Sequence, residues 1–226
     1  MTPSADLLRV EFLGVTVRHA DVPLERADLA LHFADIGERY GLTRMEFLDG
    51  AGATMSGPDG AELALRPGQL GACGVTGLGY LEGAERVVGA LAESAERLGL
   101  ERMWAEDITL VAVWDLEDAD AARALLVDDV LRVDDERMAL LGGEEITLGL
   151  RLWRRTGESS LECAIEPMHS EPGKVYLRLM LADGDPVADA AGLRELVDSV
   201  HEYLMGPLRG FVMARVGDHP RGPRPG

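Results

Sequence analysis

The chain has 226 residues, 46% hydrophobic and 27% charged, with a formal net charge of −18. That length and balance fit a globule of one large domain or two closely packed small ones. A field of that sign repels DNA, RNA and anionic lipid, which bind through Lys and Arg on phosphates, so neither nucleic acid nor membrane is an expected partner.

Residues 7–18 read as a first strand, with Val10, Phe12, Val15 and Val17 apolar. Asp21 then offers a helix N-cap, with Pro23 in the first turn and Glu25 near the positive end of the dipole. Leu29, Phe33, Ile36 and Tyr40 recur at helical spacing, and Gly41 supplies the stop. Residues 43–48 return as a strand. Gly57-Pro58-Asp59-Gly60 makes a turn, and residues 62–66 form another strand. Residues 82–98 predict a second helix whose apolar face carries Val87, Val88, Leu91, Ala95 and Leu98, with Gly99 ending it.

The pattern then restarts. Residues 107–116 are a strand, and Asp118 caps a helix carrying Leu125, Leu126, Val130 and Val133, broken by Gly142-Gly143. Residues 145–154 alternate, with Leu148, Leu150 and Leu152 on one side and Arg151 and Trp153 on the other. Residues 159–166 and 174–181 complete an antiparallel meander. A last helix over residues 189–205 carries Leu193, Leu196, Val197, Val200 and Leu204. The expected fold is α+β, in two pseudo-repeated halves of strand, helix, strands and helix, with mostly antiparallel sheet flanked by helices. The boundaries are residues 1–100 and 101–216, the halves packed together across a short joint near Gly99. A Gly/Pro/Arg-rich tail, 217–226, is expected to be disordered.

The stretch Leu161-Glu162-Cys163-Ala164-Ile165-Glu166-Pro167 leads into Lys174-Val175-Tyr176-Leu177-Arg178-Leu179-Met180-Leu181, and a helix around Leu193–Leu204 follows. That order resembles a sporadically distributed, uncharacterised family of bacterial α+β proteins, over roughly residues 107–211. The first central strand departs from the family's pattern, lacking its Arg-Tyr-Asn-type stretch. The resemblance implies a fold and a bacterial source, and no activity.

Candidate chemistry is sparse. His201-Glu202 begins a zinc-protease motif, but Met205 stands where the second histidine belongs, which leaves a solvated histidine beside Arg194, Asp198 and Glu202. Asp183, Asp185 and Asp189 lack a calcium loop's terminal glutamate, and a polar turn plus a helix cap accounts for them. Gly77-Leu78-Gly79-Tyr80 misses the dinucleotide fingerprint, with Glu82 at its third glycine position. Cys73 and Cys163 lie far apart in apolar contexts and read as buried, reduced thiols, consistent with a cytoplasmic protein. No catalytic, cofactor or metal residue is assigned, and no cofactor is expected.

The expected role is therefore a protein-interaction or assembly module, with a protein partner or a second copy of itself. Its candidate partner surface is the acidic run Asp128, Asp129, Asp134, Asp135 and Glu136, together with Trp153, although aromatic burial trends favour core or intersheet packing for that tryptophan. Two alternatives stay open. One is a ligand pocket between sheet and last helix lined by Met180, Leu150, Ile165 and Val197. The other is a metal-independent enzyme using His169, Glu166 or His32.

Overall fold

The alternating runs assemble into one antiparallel sheet. The structure is a computed structural model, and it describes residues 8–49, 52–77, 79–116, 122, 124–131, 133–140, 148–168, 170–171 and 173–217. The strands are β1 (Leu8–Arg18), β2 (Arg44–Phe47), β3 (Ala53–Ser56), β4 (Glu62–Arg66), β5 (Gln69–Val75), β6 (Met103–Asp115), β7 (Leu150–Thr156), β8 (Ser159–Pro167), β9 (Lys174–Ala182) and β10 (Pro186–Val187). Their order is β2-β3-β4-β5-β1-β6-β9-β8-β7, with β10 joining one end of β6. The helices are α1 (Arg26–Ile36), α2 (Tyr80–Arg97), α3 (Asp135–Leu140), α4 (Ala190–Tyr203) and α5 (Arg209–Gly217). Two π-helical segments, Leu125–Leu131 and Leu204–Leu208, complete the described elements. The chain is thus α+β.

β1 and β6 sit at the centre, paired from Leu8 opposite Trp114 to Arg18 opposite Trp104. β5 borders β1 and β9 borders β6, so each opening strand lies beside the last long strand of the meander that follows it. Every second residue of these strands is buried: Leu13, Val15 and Val17 of β1, Ile108 and Leu110 of β6, Leu177 and Leu179 of β9. They share one core with Leu29 of α1, Val87 and Leu91 of α2, and Leu193, Val197 and Val200 of α4. These helices therefore cover one face of the sheet.

Several boundaries differ from those read in the sequence. α1 starts at Arg26 behind Glu25, which makes no side-chain cap. Asp21 instead lies against the β4–β5 turn, where a Cβ on Gly68 would sit 2.6 Å from its Oδ1. β3, β5 and β10 are additional strands. β5 reads Gln-Leu-Gly-Ala-Cys-Gly-Val, whose glycines give little strand propensity, and it is held by β1 and β4 on its two sides. α4 does not stop the chain at residue 205. The backbone widens into the π-helical turn Leu204–Leu208, which takes in Pro207 without the N–H a regular helix needs, and continues as α5. The cap at Asp118, the Gly142-Gly143 break and residues 218–226 lie outside the described residues. Asp189 does cap α4, its Oδ1 accepting from the Gly192 N–H at 2.9 Å. Asp183 holds the preceding turn through the Asp185 N–H and the Ser159 hydroxyl.

Candidate interaction face

The residues between those buried ones form the second face of the sheet. Strand register sets Glu62, Cys73, Gly14, Thr109, Met180, Glu162 and Trp153 in one transverse row across β4, β5, β1, β6, β9, β8 and β7. A neighbouring row runs Phe12, Val111, Arg178, Ala164 and Arg151. None of these residues belongs to the core cluster under the helices, and all but Ala164, which is 2% exposed, are partly or fully exposed. Gly14 keeps the surface low, because a Cβ there would lie 3.1 Å from the Phe12 ring.

Trp153 is 76% exposed on this face. The strand alternation that could have turned it inward turns it outward, so it does not pack in the core. Beside it Glu162 lies between two guanidinium groups, 3.4 Å from Arg151 Nε and 3.8 Å from Arg178. A groove of about 380 Å³ lies elsewhere, between α1 and α2, but the larger one, about 710 Å³, runs along this face past Asp107, Trp153, Arg155, Glu162 and Met180. A shallower depression of about 310 Å³ follows from Asp107 over Gly14, Gly71 and Cys73, so the two form one trough. Cys73 is half-buried on it rather than fully buried, and burial followed by the charge of Glu62 raises its thiol pKa. Cys163 points into the core under the helices, where burial pushes its thiol up to about 11. Neither is a ready thiolate at neutral pH.

The acidic run does not form one surface. Asp129 is buried, on the π-helical segment that packs against α5, whereas Asp128 is exposed. Asp134 and Glu136 are exposed. Asp134 accepts the Arg137 N–H at 2.8 Å at the start of α3 and pairs with its guanidinium at 3.4 Å. The side chain of Asp135 lies outside the described residues. Sequence reasoning grouped these residues by proximity along the chain, which a helix distributes between interior and solvent.

The ligand pocket read between sheet and last helix is not formed from its four residues. Ile165 and Val197 are 1% and 0% exposed within the core, while Met180 stands on the opposite face of the sheet. A groove of about 300 Å³ does run beside α4, lined by Leu161, Leu196, Val200 and Tyr203, with the Arg154 guanidinium 5.8 Å from the Tyr203 ring.

Of the enzyme residues, the two that are described, Glu166 and His32, do not converge. Glu166 is exposed on the open face, and His169 lies outside the described residues. His32 is buried, its Nε2 2.9 Å from the Ser94 hydroxyl. That hydroxyl donates to the Ala90 carbonyl at 2.7 Å, so the imidazole N–H donates to serine and does not draw its proton. The pair is a polar link between α1 and α2. His201 is not simply solvated: its ring stacks on Tyr80 at 3.7 Å. The Tyr80 hydroxyl donates to Asp198 at 2.7 Å, and Arg194 Nε donates to the same carboxylate at 2.9 Å. This cluster ties the start of α2 to α4. Periodicity gave no sign of it, because its members come from distant helices.

His32 carries a pH dependence. Burial first, then the nearby Arg97 charge, lowers its pKa below 6.5, outweighing Asp35 and Glu93. The unfolded chain therefore takes up the proton before the folded one, and stability falls as pH drops below about 6.5 towards the lower folded value. Replacing His32 with Gln is expected to reduce the loss in melting temperature between pH 7.5 and 5.5. An equal loss in the variant would assign the acid sensitivity to other groups.

Among the described residues no group of three or more His, Cys, Asp or Glu side chains is placed to hold a metal ion, and no helix is long and apolar enough to cross a membrane. Neither a family model nor a curated protein matches the sequence.

Proposed function

We propose that the chain is a protein-interaction or assembly module that works through the open face of its sheet. The observation that carries this reading is the one-sided covering of the sheet. Helices bury one face, while the other presents a continuous trough ending at an exposed tryptophan. Large exposed apolar side chains flanked by arginine are characteristic of protein contact sites. The geometry of the buried histidine and the high pKa of both thiols favour this over catalysis. Expectations of a cytoplasmic location and a bacterial source belong with the same reading.

A photoreactive benzoylphenylalanine placed at Met180 tests it in cells that express the chain. A discrete cross-linked product is expected from that position, and none from Leu31, an exposed residue of α1. Position 180 giving no product would defeat the proposal.

A further inference from the structure

We infer that the partner seated on this face is a second copy of the chain, an inference that rests on the interaction-module reading above. The first argument is charge. The molecule carries −18 overall, so two copies repel each other over most orientations. The open face is the exception. Arg9, Arg18, Arg44, Arg66, Arg151, Arg155, Lys174 and Arg178 stand on it. They are nearly balanced by Glu46, Glu62, Glu106, Asp107, Asp115, Glu162 and Glu166. The charge excess lies elsewhere, and a face of interspersed opposite charges can meet its own copy with unlike groups opposed.

The second argument is size. Among the described residues, nine strands lie side by side along the sheet. At a spacing of about 4.8 Å and with about 20 Å of strand length in use, the face offers about 800 Å² per copy. Two such faces bury about 1,600 Å², the area of a standard stable interface. Two sheets stacked in this way lie about 10 Å apart with strands crossing at about −30°. The glycines and threonines at the middle, Gly14, Gly71, Thr16 and Thr109, permit that approach. Trp153 and Met180 supply the large apolar contacts towards one side.

Sedimentation equilibrium of the full chain tests the inference. The expected species at micromolar concentration has twice the 24.4 kDa chain mass. Met180→Arg and Trp153→Ala are each expected to weaken dimerisation by about 30-fold or more, as hot-spot truncations do, with an unchanged melting curve measured on the monomer. A Met180→Cys variant that also carries Cys73→Ala is expected to cross-link to its own copy with a short bis-maleimide. A chain that remains a monomer up to 100 micromolar, on the order of the weak end of specific association, overturns the inference. So does a dimer that is indifferent to both face variants and that the bis-maleimide fails to cross-link at position 180. The photocross-linking above separates the failures. A product with a different protein at position 180 keeps the interaction face and removes the second copy, whereas no product at all removes both.

Discussion

Residues 1–100 expressed without residues 101–226 are expected to show no cooperative melt and a collapsed amide spectrum, and the complementary fragment is expected to behave alike. The division falls between the two central strands. β1 would lose β6 along the stretch from Leu8 to Arg18, opening the longest strand pairing among the described residues. Leu13, Val15 and Val17 would lose Ile108 and Leu110 as neighbours in the shared core. The helix layer would be opened too, because Tyr80 of α2 loses Asp198 and His201 of α4. A fragment of about 100 residues with half its core unclosed has little stability in reserve. Circular dichroism melts of each fragment and of their mixture provide the check. Two fragments that each melt sharply near the full-length midpoint would mean that the halves are independent domains.

Trp114→Ala is expected to cost about 3–5 kcal/mol, while Trp153→Ala changes stability by about 0.5 kcal/mol or less. The two residues are the same type in one sheet, with β9 and β8 between their strands, but Trp114 is fully buried and Trp153 is 76% exposed. Truncating Trp114 removes a large apolar group from β6 at the centre of the sheet and leaves a cavity between the strands and the helix layer. For a chain of this length the loss corresponds to a fall of about 10 °C in melting temperature. Chemical denaturation of the two variants measures the difference directly. Equal losses would place Trp153 inside the fold and remove the exposed anchor from the proposed interface.

Local signals were strong where a residue's role follows from its immediate neighbours. The alternation in Leu8–Arg18, Met103–Asp115 and Lys174–Ala182 marks half-buried strands, and the stripe Val87, Val88, Leu91 and Ala95 marks one helix. Asp189 was legible as a cap because capping is a contact three residues long. The candidate surface was legible only in part. Trp153 could be placed opposite Leu150 and Leu152 by alternation, but alternation does not say which side of a sheet the helices cover.

The sequence by itself determined the α+β class, the main strands and helices and the turn and cap roles of Asp183 and Asp189. Those properties depend on composition and on contacts within a few residues. Tertiary structure decided the rest. It placed β5 despite its glycines by giving it two partners, and it set β1 against β6 as the middle of one sheet. It sent Asp129 inward from an acidic run, stacked His201 on Tyr80 from another helix, and committed Ser94's proton to a carbonyl beside His32. Each of these depends on pairing between residues far apart in the chain, whose free energy is set by burial and partner geometry rather than by spacing along the sequence.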